Sequence, residues 1–423
     1  MGKRQEATAK ACFVVPFFPP DVGGCASRFG DLARSLSSTT RDINVITTTV
    51  AQGQDRAALE GDGIRVFRGW LPSHVVNRSF LSMLLYLALM PLAFAITVLS
   101  AARRVRGSDF SLLSIPPLTL VVLLPLLRLI GRCPVVLDVR DIWPDALAPT
   151  YINPRGLIFK LMHVVLRWAI LSADHITAPT QSLVYRIAAI INNGANKNLP
   201  ATTLVPNGVD TNEFTPGRLS WEILERYGVP KDARLLLYSG AVGRSQDLAT
   251  ITEALSSFLR NRTDVFFIIV GWGDSLEQLR QTISKLRLTN AVILPPLPRG
   301  RLLELIRAAS LCIVALHPTQ TDALPNKFFE YVACGKPVIV MASEELRKLV
   351  EEWQCGIFVQ SATEIQDAIT TILSDENAAL EMGIRGRQML QQSMFTRESA
   401  ANVLLQISRH FEQNEHRSAQ DRR

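Results

Sequence analysis

Residues 322–340 read Asp-Ala-Leu-Pro-Asn-Lys-Phe-Phe-Glu-Tyr-Val-Ala-Cys-Gly-Lys-Pro-Val-Ile-Val. Two carboxylates, Asp322 and Glu330, lie eight residues apart, around a Pro-Asn-Lys turn that opens a predicted helix. Asn326 is the expected N-cap, and Lys327 adds a positive charge beside the N–H groups of the first helical turn. Such a helix start favours an anion, above all a diphosphate. Glu330, about one turn further on, can accept hydrogen bonds from a diol such as a ribose. The stretch predicts a nucleotide-sugar site; the alternative is an ordinary capped helix with a surface Lys and Glu.

Short apolar, β-branched segments alternate with longer helical patterns in both halves of the chain, which predicts an α/β fold with parallel sheets and crossover helices. The predicted strands are Cys12–Val15, Ile43–Thr48, Ile64–Phe67, Ser111–Ser114, Val135–Asp138, His175–Ala178, Thr203–Val205, Leu235–Ser239, Phe266–Val270, Val292–Leu294, Leu311–Ala315, Pro337–Val340 and Gly356–Val359. The turn signal Pro206-Asn-Gly208 marks the expected interdomain linker. Two doubly wound sheets place a ligand crevice at the carboxyl ends of their strands.

The bulk composition narrows the class of protein. The 423 residues are enough for two domains, and 20 % charged with 48 % hydrophobic residues argues against disorder. The net charge of +7 suits a nucleotide, a lipid diphosphate or an acidic membrane surface. No basic run interleaved with aromatic residues indicates a nucleic-acid partner. The six cysteines contain no Cys-x-x-Cys pair, which favours a reducing cytosol over a zinc site or a disulfide framework. The first apolar stretch is short and broken by Pro16, so no cleaved signal peptide is expected.

The segment 80–102 contains 23 residues without a charge and is followed by Arg103, Arg104 and Arg106. A helix of this length can cross the roughly 30 Å hydrocarbon core. A single span would put the strands before and after it on opposite sides of the membrane, and Pro91 favours a kink. We expect a monotopic surface that dips into the membrane with the arginines at anionic headgroups. A buried core helix and a true span are the alternatives.

The opening stretch resembles the D/E-x7-E region of the family 4 retaining glycosyltransferases, which have the GT-B fold. The resemblance covers nearly the whole chain, in matching order, at Pro16–Gly24, Val139–Asp145, Pro206–Asp210 with Phe214, Gly240 before Arg244, and Gly271-Trp-Gly273. The glycine pairs are weak signals, whereas Pro-Asn-Gly-Val-Asp followed by Pro-Asn-Lys-x-x-Glu-Tyr is specific. Ser114–Leu118 and Arg140-Asp-Ile-Trp-Pro144 are most similar to bacterial O-antigen, capsule and exopolysaccharide transferases that use lipid carriers, including fucosamine-transferase-like members.

The resemblance implies two Rossmann-like domains facing a central cleft. Residues 1–206 are then the acceptor-binding domain and residues 207–395 the nucleotide-sugar-binding domain. Residues 396–423 are expected to form a C-terminal helix, which packs back on the first domain, and a polar tail.

For the donor, the resemblance implies that Asp322 holds sugar hydroxyls beside the reacting carbon and that Glu330 binds the ribose. Lys327 and the backbone N–H groups around Leu324–Asn326 suit the departing phosphates. Ala241 and Gln246 stand where family members usually carry an Arg and a Lys, so Arg244 is the replacement cation or a solvated loop residue. The expected donor-binding residues are Gly23, Gly24, Gly240, Arg244, Gly271, Gly273, Leu297, Leu324, Pro325, Asn326 and Lys327. The glycines among them also fit plain tight turns.

For the acceptor, Arg140 and Asp141 follow the Val135–Asp138 strand. Many relatives have a His at the position of Arg140, which cannot act as a base at neutral pH and is expected to bind a phosphate or a sugar. Asp141 then orients the acceptor hydroxyl or takes its proton. Arg140 and Asp141 also fit a structural ion pair. His163 has an apolar sequence context that suggests a core residue. We expect no metal and no cofactor.

The leading hypothesis is a retaining glycosyltransferase on the cytoplasmic face of the inner membrane, peripheral or monotopic. It is expected to move a sugar, either a plain or an N-acetylated one, from a UDP-sugar to a polyprenyl-diphosphate-linked acceptor in cell-surface polysaccharide synthesis. Two alternatives are a sugar-nucleotide epimerase with the same fold and a catalytically silent membrane scaffold.

Overall fold

The computed structural model describes residues 10–21, 23–38, 42–49, 63–72, 80–147, 152–192, 199–217, 222–317 and 323–420. The strands are β1 (Lys10–Val14), β2 (Asp42–Thr49), β3 (Ile64–Pro72), β4 (Phe110–Ile115), β5 (Val135–Val139), β6 (His175–Ala178), β7 (Ala201–Leu204), β8 (Arg234–Ala241), β9 (Val265–Trp272), β10 (Ala291–Leu294), β11 (Leu311–Ala315), β12 (Val338–Met341) and β13 (Gly356–Phe358). Each predicted strand overlaps one of these.

Most helices lie between strands, as the alternating sequence pattern predicts, and three follow the last strand. The helices are α1 (Gly24–Ser37), α2 (Phe80–Ser100), α3 (Ala102–Val105), α4 (Leu124–Gly131), α5 (Leu157–Ser172), α6 (Gln181–Asn192), α7 (Glu222–Glu225), α8 (Leu248–Asn261), α9 (Leu276–Lys285), α10 (Arg299–Ala308), α11 (Asn326–Ala333), α12 (Glu344–Trp353), α13 (Ile365–Ser374), α14 (Glu376–Gln392) and α15 (Arg397–Gln420). Short 3₁₀ turns form at Leu118–Leu123, Asp145–Leu147 and Ala362–Glu364.

The strands form two parallel sheets. The first has the order β3-β2-β1-β4-β5-β6-β7 and the second the order β10-β9-β8-β11-β12-β13. The chain folds as two compact units: a first unit, Met1–Pro206 with Arg397–Arg423, and a second unit, Asn207–Thr396. In each unit the strand order reverses beside the first strand, which is the Rossmann-like arrangement with a crevice at the carboxyl ends of the central strands. The prediction of two Rossmann-like α/β domains is confirmed.

In the first unit, opposite faces of one sheet bury different helices. Cys12 and Val14 of β1 point into a core shared with α2–α6 and the 118–123 turn, whereas Ala11 and Phe13 point into a core shared with α1 and α15. Because successive strand residues face opposite sides, a central parallel strand must be apolar throughout.

The C-terminal helix belongs to the first unit. Helix α15 packs on α1, and the Arg397 Nε donates to Asp31 Oδ2 at 3.2 Å, with both side chains buried. Ala400, Ala401 and Leu404 complete the apolar contact.

The segment 80–102 forms helix α2, which packs on β2 and β3. Tyr86, Met90, Phe94 and Val98 lie in the core of the first unit, so one face of the helix is buried. Over the part of the chain that the structure describes, no helix has both the length and the apolar character needed to cross a membrane. The dipping surface therefore stays a prediction.

Candidate functional site

The crevice of the second unit lies where β8 and β11 are neighbours and the chain leaves them in opposite directions. Gly240 is near the carboxyl end of β8, and α11 begins after the loop that follows β11. The two elements that carry the predicted diphosphate site are thus brought together by the topology.

Helix α11 begins at Asn326, and its N-cap is Pro325 in an extended conformation without a side-chain capping bond. The prediction that Asn326 is the N-cap is wrong, because Asn326 already has helical geometry. The Phe328 N–H donates to the Pro325 carbonyl at 3.1 Å, which closes the first turn. The helix still begins beside the carboxyl end of β8, since Lys327 in its first turn lies next to Gly240, and a helix start at this place suits an anion.

Lys327 is the central charge of this site. Its ammonium lies 3.7 Å from the centroid of the Tyr238 ring, a close cation–π contact. A Cβ built on Gly240 would lie 3.0 Å from the Lys327 Nζ, and Gly240 has a φ of +126°, which side chains rarely adopt. The backbone conformation of Gly240 therefore favours glycine, and a side chain there would also displace the Lys327 ammonium.

Burial lowers the pKa of Lys327 from 10.5 to about 7, and the nearby Glu330 opposes that shift. Desolvation penalises a charged ammonium, whereas a neighbouring carboxylate stabilises it. A bound diphosphate would add to the effect of Glu330, so the lysine is placed to gain its charge on binding an anion. Glu330 itself is half-buried on the same helix.

A second contact fixes α11 to β8. The Tyr331 hydroxyl accepts a hydrogen bond from the Ser239 N–H at 2.7 Å and lies 2.9 Å from the Ser239 Oγ. All three groups are buried, and the interaction holds the helix in register with the strand end. Sequence reasoning assigned no role to Tyr238, Ser239 or Tyr331; the Glu-Tyr pair in the motif was the available signal.

The Pro206–Asp210 motif supports the same site. The Asn207 Nδ2 donates to the Leu324 carbonyl at 2.8 Å, which holds the chain just before α11. A Cβ on Gly208 would meet the Phe395 carbonyl oxygen at 2.3 Å, so only glycine fits there. Leu324 is buried and Pro325 half-buried.

Gly271 and Gly273 permit a close approach of two backbone segments. A Cβ on Gly271 would lie 1.8 Å from the Gly240 oxygen, and one on Gly273 would lie 2.1 Å from the Val242 oxygen. Their structural role is thus to let β9 and the loop after it pack against the end of β8. Any contact with a donor is additional to this role.

The end of β8 and the loop after it contain the residues at which the sequence differs from the family pattern. Arg244 and Ala241 are exposed, and the Gln246 Oε1 accepts a hydrogen bond from the Gly243 N–H at 3.1 Å. Gln246 therefore stabilises the loop. Arg244 is the cation that the loop presents to solvent. Leu297 packs partly buried against the core of the second unit. Asp322 lies outside the described residues.

In the first unit, Gly23 has a φ of +134° and forms the N-cap of α1, and Gly24 is the first residue of that helix. A Cβ on Gly23 would meet nothing within 4 Å. The backbone conformation rather than crowding explains glycine at this position.

A buried polar network lies at the carboxyl end of β5. The Asp138 carboxylate accepts hydrogen bonds from Arg28 (3.0 Å), Ser114 (3.0 Å) and Thr177 (2.9 Å). Arg140 extends the network, since its Nε donates to the Ser114 Oγ at 2.8 Å and its Nη2 to the Pro116 carbonyl. Arg140 is therefore held in place by neutral oxygen acceptors.

Asp141 follows directly and is half-buried. Burial raises its pKa, while a backbone hydrogen bond from Ile142 and the charges of Arg140 and Arg186 act in the opposite direction. A carboxylate with a raised pKa is better suited to accept a proton than an exposed one.

Sequence reasoning missed an ion-pair cluster close to Asp141. The Asp145 carboxylate pairs with the His163 Nε2 at 2.8 Å and with Arg186. His163 is one-third exposed and makes an edge contact with Phe159, so the interpretation of it as a core histidine is wrong. The cause is helix geometry: His163 lies on α5 at the border between the buried and the exposed face.

The described residues contain no group of three or more His, Cys, Asp or Glu side chains that could hold a metal ion. All six cysteines are free.

Comparisons with known proteins match both units. Residues 220–389 match the model "Glycosyl transferases group 1", and residues 23–208 match "Glycosyl transferase 4-like domain". Both descriptions name glycosyltransferase domains, so each unit is similar to a glycosyltransferase domain, which agrees with that part of the sequence hypothesis.

Relatives are similar over part of their length. A D-inositol 3-phosphate glycosyltransferase of Acidothermus cellulolyticus is 32 % identical over 166 residues, 37 % of this chain and 36 % of the relative. A GDP-mannose-dependent alpha-(1-6)-phosphatidylinositol monomannoside mannosyltransferase of Mycobacterium tuberculosis is 30 % identical over 201 residues, 45 % of this chain and 51 % of the relative. The matches thus span about a third to a half of these curated relatives.

Solved structures share the fold over nearly the whole chain. Sucrose-phosphate synthase from Thermosynechococcus elongatus has a TM-score of 0.71 at 17 % identity, covering 95 % of this chain and 98 % of that one. The Anabaena protein HepE, in complex with UDP-glucose, has a TM-score of 0.67 at 19 % identity, covering 94 % and 99 %.

Proposed function

We propose that the protein is a retaining glycosyltransferase that moves a sugar from a UDP-sugar to a polyprenyl-diphosphate-linked acceptor during cell-surface polysaccharide synthesis. The observation that carries the proposal is the start of α11, where Lys327 lies beside Gly240 and over the Tyr238 ring. A cation and a helix start together suit the diphosphate that leaves during sugar transfer.

The proposed roles rest on the family resemblance and, for the described residues, also on their positions. Lys327 and the backbone around Leu324–Asn326 bind the phosphates, Glu330 binds the ribose, and Asp322 holds the sugar. Arg244 is the additional loop cation for the diphosphate. Gly23, Gly24, Gly240, Gly271 and Gly273 let the donor and the backbone approach, and Leu297 lies beside the nucleobase. No metal or cofactor is part of this proposal.

UDP is the proposed nucleotide because HepE, which shares the fold, is solved with UDP-glucose. The named use of GDP-mannose by the mycobacterial relative supports GDP as a second candidate. Both relatives cited above have an inositol phosphate or a phosphatidylinositol in their names. An acceptor that carries phosphate is in keeping with those names, and a polyprenyl diphosphate has that chemistry.

On the acceptor side, Arg140 binds phosphate or sugar and Asp141 orients the hydroxyl or takes its proton. The half-buried position and raised pKa of Asp141 support this role. The proposed location is the cytoplasmic face of the inner membrane, where a lipid-linked acceptor and a soluble nucleotide-sugar meet.

The test is a transfer assay with radiolabelled UDP- and GDP-sugars and a polyprenyl-diphosphate-linked sugar. We expect label from one nucleotide class in the organic phase, with an α-linkage retained from the donor. Asp141→Asn should reduce transfer at least tenfold without changing UDP affinity, whereas the exposed Asp232→Asn should change neither. An epimerised free sugar nucleotide without lipid product would favour the epimerase, and absence of nucleotide binding would favour the scaffold.

A further inference from the structure

The outer surface of the first unit is apolar on one side only. Helices α2, α4, α5 and α6 and the 118–123 turn share one core. We call these elements together the α2–α6 layer. Apart from Trp70 on β3, every large apolar side chain that is exposed on the described residues of the first unit lies on this layer. The opposite layer, α1 and α15, exposes none in its described part.

Four of the five large apolar residues that are exposed on α5 form a single stripe, and the fifth, Ile158, lies beside it. Leu157, Leu161, Val164 and Trp168 are spaced as i, i+4, i+7 and i+11, and Leu157 is 81 % exposed. Leu166, Ala169 and Ile170 on the other face are buried in the core. The helix is therefore apolar on both sides, which is not expected of a helix that only faces water.

Helix α2 repeats this arrangement. Its exposed face carries Leu85, Leu92, Ile96 and Leu99, opposite the buried residues that pack on the sheet. The 118–123 turn contacts both α2 and α5, and Val122 on that turn is also exposed. The two stripes are thus joined through the turn on one side of the sheet.

The charged residues within the helices of this layer are all basic, and the nearby acidic residues Asp145 and Asp174 are paired with His163, Arg186 and Arg128. Helices α2, α3, α4, α5 and α6 and the 118–123 turn contain no Asp or Glu. Arg103, Arg104, Arg132 and Lys160 are exposed at or beside them. Long cationic side chains at the border of an apolar surface can reach lipid phosphates while apolar neighbours insert between the acyl chains.

From the paired stripes and the cationic border we infer that the α2–α6 layer docks on an anionic lipid bilayer, with α5 and α2 as the inserted helices. The inference extends the proposed function, because it names the surface that would bring the enzyme to a lipid-linked acceptor. Anionic headgroups match the basic border, whereas a second copy of this layer would repel it.

The test uses the full chain without nucleotide and sedimentation with vesicles of phosphatidylcholine, alone or mixed equally with phosphatidylglycerol. We expect binding to the anionic vesicles, weaker binding at high salt, and at least a tenfold loss of partitioning in Leu161→Ser/Val164→Ser and in Leu92→Ser/Ile96→Ser. The matched control is Leu380→Ser/Ile384→Ser, which changes an exposed apolar pair on α14 of the second unit with the same spacing as Leu92 and Ile96.

Equal loss in the control pair, or equal binding to neutral vesicles, would overturn the inference. So would a dimer that forms without lipid and is abolished by the same α5 substitutions. Thermal unfolding and UDP titration of each variant show whether it is folded and whether the donor site works. If vesicle binding fails while UDP binding is intact, only the proposed docking surface is refuted. If UDP binding fails while vesicle binding is intact, only the proposed donor site is refuted.

Discussion

The ammonium of Lys327 lies 3.7 Å from the centroid of the Tyr238 ring, so a buried aromatic strand residue supports the cation of the proposed diphosphate site. A desolvated cation–π contact contributes about 2 kcal/mol. The arrangement gives the lysine a defined position over an aromatic ring.

The ring of Tyr238, rather than its hydroxyl, is expected to matter for donor binding. Tyr238→Phe should keep UDP affinity within about threefold, whereas Tyr238→Leu should weaken it about tenfold or more, since it removes a contact of about 2 kcal/mol. Calorimetric titration with UDP measures this. Phe267→Leu, in the same core of the second unit, is the control for a cavity. Equal affinities of the Phe and Leu variants would disprove the role of the ring.

The pKa of Lys327 predicts two linked effects of pH. In the folded chain it is about 7, against 10.5 for an ordinary lysine, so between these values the unfolded chain binds more protons and stability rises with pH. Lys327→Met should remove this part of the slope in urea unfolding experiments, whereas Lys348→Met, at an exposed position on α12, should not.

The same lysine should take up a proton when an anion binds at a pH above 7. UDP titrations in buffers of different ionisation enthalpy measure that uptake. We expect the proton uptake to be smaller in Lys327→Met than in Lys348→Met. In Lys327→Met only the protons on UDP itself contribute. Equal uptake in both variants would show that Lys327 is already charged in the unliganded protein.

The Arg28–Asp138 pair is expected to be a structural element of the first unit. Both side chains are about 1 % exposed, and Arg28 also donates to the Val205 and Pro206 carbonyls. Removing one partner leaves a buried charge, so Arg28→Met and Asp138→Asn should each destabilise by about 3–5 kcal/mol. The double variant should cost less than the sum of the two. Additive costs in urea unfolding would show that the two groups are not coupled.

Two glycine substitutions of the second unit should act in opposite directions. Gly271→Ala places a Cβ 1.8 Å from the Gly240 oxygen and should destabilise by about 1–3 kcal/mol or more. Gly300→Ala, on α10, meets nothing within 4 Å and should stabilise by about 0.5–1 kcal/mol. Thermal unfolding distinguishes them, and a neutral Gly271→Ala would mean that β8 and β9 separate easily.

The strands could be predicted from the sequence because parallel strands that are buried on both faces, such as β11, consist of uninterrupted apolar residues. It also indicated the start of α11, although the N-cap is Pro325 and not Asn326. The contacts of Lys327 with Tyr238 and of Ser239 with Tyr331 join residues that are far apart in the sequence, and no local pattern encodes them. The Asp145–His163 ion pair could not be predicted for the same reason, because it depends on how α5 is rotated against the sheet.

The most direct test of the central claim is calorimetric titration of UDP, GDP and ADP into the purified full chain and into Glu330→Ala. Glu352→Ala, at an exposed position on α12, is the matched control. A carboxylate hydrogen-bonded to a ribose contributes about 1.5–3 kcal/mol, so Glu330→Ala should weaken UDP binding by about tenfold or more. The account predicts selective UDP binding that Glu330→Ala loses and Glu352→Ala keeps. Folded protein that binds none of the three nucleotides would contradict it.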